Sequence, residues 1–403
     1  MKPAAAPATA TKPPETSFGP DQHLDVLDAL RGIASLLVLG YHMHAIASIY
    51  RLESPAGVWV DPLSALFRGG HTGVTLFFIL SAFLLSLPMF AREKQHDAGA
   101  IARFFQRRAL RILPLYWFAV GLAALAAADQ WQDLGRGLPY LAFLNGVGLG
   151  ESIMPYGAVW WSLATEMQFY LLLPLLPFAL GSRRGRIVGA VLLVLYAVLY
   201  LAFVTGSLRP PSVRAVTKIS HSVFGRGPAF LMGIGVGWIY CRFGAEIRST
   251  LAANRWLRAG AADLLLAAVL VILGMTLREV VWIGYRAAEY TTPNHAWHVL
   301  EAVLWSAVLF LVLFAPLKVA VLLRHRSLVW VGLVSYSTYI WHYPLIYGLL
   351  WIAKPWLGRI PLGWNASTIL LAAAIATIVL WISGQSYRLI ERPFLLRKQS
   401  LGS

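Results

Sequence analysis

Charge is scarce in this chain, and so is cysteine. Charged side chains make up 13% of its 403 residues, about half the share of an ordinary soluble domain, so long stretches must be withdrawn from water. Cys241 is the one cysteine. It excludes an intrachain disulfide and any cysteine-based metal cluster, and no metal site is expected. Acidic residues are scarcer than basic ones, 18 against 34. In a soluble protein the resulting net charge of +16 would suggest nucleic acid. Here it reads as basic loops beside anionic lipid heads, with membrane lipids rather than nucleic acid as the partner. The alternation of a membrane β-barrel is also missing, because the apolar runs are continuous.

What is present is apolar and aromatic: 58% of residues are hydrophobic, with 16 Trp, 16 Tyr and 19 Phe. A bilayer crossing takes about 20 residues, and ten segments qualify, near 27–48, 72–90, 112–128, 160–180, 187–206, 224–242, 261–277, 297–320, 329–353 and 367–387. The stretch 137–150 has the make-up of a re-entrant piece. The expectation is an all-α polytopic bundle of about ten transmembrane helices. Lys and Arg number 22 on the side shared by the two termini and 10 on the other, which puts both termini in the cytoplasm. Residues 1–26, rich in Pro and Ala, read as a disordered cytoplasmic tail, residues 27–394 as one transmembrane domain, and residues 395–403 as a second tail.

Chemistry-bearing residues stand out against such a background, since intramembrane ionisable groups are costly. Arg31 and His42, in LDALRGIASLLVLGYHMH, are eleven positions apart. That is close to three helical turns, so they share a face, about 16 Å apart along the axis. Asp28 is placed to pair with Arg31 at i, i+3. Arg103, Arg107, Arg108 and Arg111 crowd the start of the third span. Their forks suit a phosphorylated cytoplasmic ligand such as a nucleotide or coenzyme A, although a plain positive-inside anchor has the same composition. Glu166 enters the fourth span and needs a partner, either an arginine such as Arg226 or His42 itself. His342 precedes Pro344, and a proline in a span frees a carbonyl that a polar neighbour can satisfy, so His342 reads as a packing residue. His44 faces away from His42. Glu391 and Arg392 read as an interfacial ion pair closing the bundle.

Five stretches, in order, resemble acyltransferase family 3 of membrane proteins: LDALRGIASLLVLGYH, GVTLFFILSAFLLS, RRALRILPLYW, WSLATEMQFYLLLPLL, and VSYSTYIWHYPL followed by IERPF. The resemblance runs from residue 25 to 394. It implies a multi-pass enzyme of the inner (plasma) membrane that moves an acyl group, most often acetyl, from cytoplasmic acyl-CoA to a hydroxyl of a carbohydrate or lipid-linked glycan acceptor. The family's Arg-x10-His pattern falls on Arg31 and His42, its Arg-x-x-Arg on Arg108 and Arg111, and its acidic motif residue on Glu166. Ser81-Ala82-Phe83 stands where the family usually has Ser-Gly-Phe, and Met167 where a second acidic residue is common. Some relatives carry an extra hydrolase-like domain; none is read here, so a second transfer step is expected to need another protein.

The expected roles are therefore catalytic for His42, Glu166 and Arg31, and donor-binding for Arg107, Arg108 and Arg111. His42 acts either as general base on the acceptor hydroxyl or as the group that takes the acyl itself. Competing readings are a proton-coupled secondary transporter, a translocator of acyl groups or glycolipids, and a structural scaffold.

Overall fold

A computed structural model describes residues 20–49, 67–91, 98–147, 153–208, 210, 212–286, 295–357 and 366–400. The described residues form helices joined by turns, with no strand among them. The long helices are α1 (Pro20–Ile49), α2 (Thr72–Ala91), α3 (Ala98–Ala127), α4 (Trp161–Leu172), α5 (Arg183–Val204), α6 (Gly227–Ala253), α7 (Ala262–Arg286) and α8 (Ala296–Phe314). They are followed by the shorter α9 (Arg326–Leu333), then α10 (Ser335–Leu357), α11 (Ala366–Ser386) and α12 (Arg392–Ser400). Eight segments of the described residues are long and apolar enough to cross a bilayer, and the protein is an all-α polytopic membrane protein.

Two of the ten expected spans, 224–242 and 329–353, fall outside those eight. Both stretches are largely helical, in α6 and α9–α10. However, α6 carries five glycines and Arg242, and α10 opens with Ser335, Tyr336, Ser337, Thr338 and Tyr339. These residues lower the hydropathy of both helices without shortening them; those of α10 are buried in the bundle, whereas Arg242 is exposed. The first helix begins at Pro20, inside the stretch expected to be tail, and α12 continues to Ser400; residues 1–19 and 401–403 lie outside the described residues. Pro20 and Pro393 do not oppose these extensions, because proline is tolerated in a first helical turn. The stretch 131–147 is a series of short helical turns. α3 starts 14 residues before the expected span because nothing between Ala98 and Ile112 breaks a helix.

Lipid-facing helices are plain to see. α5 exposes Ile187, Val191, Leu195 and Val198 while burying Tyr200 and Phe203, an arrangement that water would oppose and hydrocarbon favours. Elsewhere small residues let backbones touch. A Cβ on Gly233 of α6 would lie 2.4 Å from the Ile79 carbonyl oxygen and 2.7 Å from the Ala82 Cβ, and one on Gly237 would lie 2.5 Å from Ser86 Oγ. Opposite Ala82, which stands at the family's usual glycine position, the opposing helix carries a glycine. α1 and α9 meet in the same way: a Cβ on Gly332 would fall 1.7 Å from the Asp28 carbonyl oxygen, and one on Gly32 would fall 2.5 Å from that of Leu328.

Candidate active site

Three helices bring the expected cations together. Arg31 from α1, Arg108 and Arg111 from α3, and Glu166 from α4 all line one cavity of about 510 Å³, within the usual size range of ligand pockets. Asp28, Ser81, Ser162, Tyr170, Tyr336 and Tyr339 also face it. Arg108 and Arg111 reach it together because i and i+3 share a helical face. Arg107 does not line the cavity: next to Arg108 in sequence, it points roughly 100° around the helix.

The electrostatics are unevenly satisfied. Arg31 lies 3.8 Å from Asp28, the expected pair. Arg111 is 3.1 Å from Glu391, and its guanidinium stands 5.7 Å from the Tyr336 ring centre. The expected Glu391–Arg392 pair is therefore replaced by one between distant helices, with Ser337 Oγ also donating to Glu391. Arg108 differs: its Nε is buried and has no hydrogen-bond partner among the described residues. A half-buried cation with a donor to spare fits an anionic ligand group such as a phosphate.

Glu166 meets neither expected partner. Its Oε1 accepts from Ser81 Oγ at 2.5 Å and from Tyr170 OH at 2.6 Å. Glu166 and Tyr170 are four apart and share the cavity face of α4, whereas Trp161 and Thr165 turn to the segment before α6. There Thr165 Oγ1 donates to the His221 carbonyl, His221 stacks on Trp161 at 3.8 Å, and Arg226 sits 5.3 Å from the same indole. Arg226 spends its donors on the Ser220 carbonyl and on His298.

His42 lies on α1 about three turns beyond Arg31, off the cavity lining. It is half-buried, and its Nδ1 is 3.0 Å from the Val38 carbonyl and 3.0 Å from Nε2 of His342. His342 is 1% exposed. Its own Nδ1 faces the carbonyls of Tyr339 at 2.8 Å and Thr338 at 3.1 Å. Pro344 would free the carbonyl of Ile340, four residues back, so proline chemistry does not explain His342. The cavity and the histidine pair adjoin along α10: Tyr339 lines the cavity and its ring centre is 5.7 Å from that of His342.

A second polar cluster has no counterpart in the expected residues. Glu301, fully buried, lies 3.2 Å from His71 and 3.2 Å from His298, and accepts from Thr75 Oγ1 at 3.0 Å. Tyr41 stands between this cluster and His42, its ring 4.9 Å from His42 and 5.8 Å from His71. Glu301 interrupts an apolar run, and the argument that marks Glu166 marks it equally.

Comparisons with known proteins identify the family. A family model described as an acyltransferase domain matches residues 24–384. The O-acetyltransferase OatA of Staphylococcus aureus is 24% identical over 409 residues, covering 94% of this chain and 58% of OatA. YrhL of Bacillus subtilis, provisionally named a peptidoglycan O-acetyltransferase, is 22% identical over 408 residues, covering 92% of this chain and 55% of YrhL. ORF330 of Acidianus two-tailed virus, provisionally named an acetyltransferase, is 27% identical over 318 residues, covering 78% of this chain and 80% of ORF330. The chain thus spans little more than half the length of OatA and YrhL. No solved structure matches it. The family match runs from the first helix into α11, and the chain belongs to acyltransferase family 3.

Proposed function

We propose that this chain is an integral membrane O-acyltransferase of the inner (plasma) membrane. In this reading it moves an acyl group, acetyl in the first instance, from cytoplasmic acyl-CoA to a hydroxyl of a cell-surface carbohydrate or its lipid-linked precursor. The observation that carries the reading is the continuity between an arginine-lined cavity and a histidine pair across one turn of α10, from Tyr339 to His342. Arg108 and Arg111 hold donor phosphates, and Arg31, tied to Asp28, adds positive charge to the same wall. Glu166 keeps Ser81 and Tyr170 in place and offsets part of that charge. The acyl end of an extended donor then reaches toward His42.

His42 is the base. Carbonyl oxygens only accept, so the Val38 contact assigns a proton to Nδ1 of His42. Nε2, which has no hydrogen-bond partner among the described residues, is left with its lone pair. It takes the proton of the acceptor hydroxyl as the oxygen bonds to the thioester carbonyl carbon. The C–S bond breaks and the proton passes to the departing sulfur. The names of OatA and YrhL favour acetyl as the group, and that of YrhL favours peptidoglycan as the acceptor. The proton-coupled transporter keeps one observation in its favour, the buried His71–Glu301–His298 cluster.

Inside-out membrane vesicles supplied with radiolabelled acetyl-CoA test the reading, comparing wild type with His42→Ala. Label entering a glycan or lipid-linked product, with CoA released, only in wild-type vesicles supports it. Equal labelling by the variant, accumulated to the same level, sinks the assignment of His42. No labelling by either, with longer acyl-CoAs also inactive, moves the transporter ahead.

A further inference from the structure

His42 and His342 are 300 positions apart in sequence and share one hydrogen bond. The protons in that contact can be assigned from what surrounds it. Nδ1 of His342 faces two backbone carbonyls, of Tyr339 and Thr338, which accept and cannot donate. Nδ1 of His342 therefore carries hydrogen, and in the neutral ring Nε2 is an acceptor. It faces Nδ1 of His42, which carries hydrogen for the same reason, toward Val38. The arrangement is consistent throughout: His42 Nδ1–H is shared between the Val38 carbonyl and His342 Nε2. The edges of Tyr41 and Tyr343 hold the imidazole of His42 at 4.9 and 5.3 Å.

We propose that His342 is the positioning residue of the transfer reaction. It fixes the tautomer and orientation of His42, so that Nε2 alone presents a lone pair to the acceptor hydroxyl. The inference rests on the acyl-transfer reading and deepens it. A base oriented by a third group is the general logic of nucleophile activation, and here the third group is itself anchored by carbonyls of α10. As Nε2 of His42 takes the acceptor's proton, the ring becomes a cation whose Nδ1–H strengthens its bond to His342 Nε2. The proton then leaves from Nε2 to the sulfur of CoA as the C–S bond breaks, and the pair returns to its starting tautomers. The charge is shared across two rings, where the Thr338 and Tyr339 carbonyl dipoles oppose its cost.

Two side chains of similar size separate positioning from packing. His342→Leu fills the site but accepts no hydrogen bond, whereas the amide oxygen of His342→Gln can accept the one from His42. The full-length variants are assayed in membranes with radiolabelled acetyl-CoA, with rates normalised to folded protein. His342→Leu is expected to lower kcat about 10- to 100-fold, part of what general base catalysis supplies, with KM for acetyl-CoA within about twofold of wild type. His342→Gln is expected to recover most of that loss. Undiminished kcat in His342→Leu overturns the inference and leaves the acyl-transfer reading standing. So does an equal loss of kcat in the Leu and Gln variants, which marks a packing residue. Wild-type membranes that transfer no label refute both.

Discussion

Arg111 and Glu391, 280 positions apart in sequence, form an ion pair of 3.1 Å at the edge of the cavity, with Glu391 only 3% exposed. The cation proposed to hold a donor phosphate therefore has a carboxylate partner of its own. Arg111→Ala would leave that carboxylate buried and unpaired, at a cost of about 3–5 kcal/mol. The double substitution Arg111→Met with Glu391→Leu removes both charges. The expected outcome is a marked fall in detergent Tm for the single variant and recovery of most of it in the double. Donor binding is lost in both. Equal Tm values for the three proteins would contradict the pairing.

Arg108 has no such partner at its Nε. Arg108→Ala is expected to leave the detergent Tm within a few degrees of wild type while raising KM for acetyl-CoA at least about tenfold. Charge-assisted phosphate contacts are strong enough for that. The donor KM of wild type should also rise with salt more steeply than that of the variant. An unchanged KM would take Arg108 out of donor binding.

The α2–α6 contact offers a positional control. Gly233→Ala places a Cβ 2.4 Å from a backbone oxygen, whereas Gly235→Ala, two residues along, meets nothing within 4 Å. Accumulation and Tm should drop for Gly233→Ala, by about 1–3 kcal/mol as overpacking costs, and hold for Gly235→Ala. Thermal denaturation of the two in one detergent decides it.

His221 lies outside the spanning helices, stacked on Trp161. Burial, then the charge of Arg226, pushes its imidazole down to about 3. The unfolded ring takes a proton near 6.5, so between those values the unfolded state binds more protons and stability falls as the pH falls. His221→Phe, which keeps the stack, should lose less Tm than wild type between pH 7.5 and 5, by a few degrees. Parallel pH curves for the two would contradict it.

How much of this was legible in the sequence depended on distance along the chain. Arg108 with Arg111 and Asp28 with Arg31 are local, and helical periodicity places each pair on one face. Glu166 stood out as a charge in an apolar helix. Its partner Ser81 lies 85 positions away, and nothing in the local pattern distinguishes it from Arg226. His42 is conspicuous in the sequence whereas His342 reads there as packing, because the bond between them depends on how α1 and α10 cross. In the sequence Arg111 reads as a ligand-binding or anchoring cation, whereas Glu391, its ion-pair partner, lies 280 positions away at the π-helical turn Tyr387–Glu391. Glu301 was as visible in the sequence as Glu166. Its imidazole neighbours His71 and His298 give it a setting that no spacing rule supplies.

The glycine contact between α1 and α9 acts at a distance. Gly32 lies ten residues before His42 on the continuous helix α1, so that imidazole rides about 15 Å up from this backbone-to-backbone fulcrum, whereas His342 follows on α10, beyond the break at Val334. With no side chain between the helices there, little cushions a change of angle. A tilt of α1 by a few degrees about that point would displace the His42 ring by about an ångström, enough to break its 3.0 Å hydrogen bond to His342 and to cost catalysis on the order of a hundredfold. The reach of the proposed base thus depends on a contact about three turns away on α1, beside Asp28, which itself lines the cavity that would receive the donor.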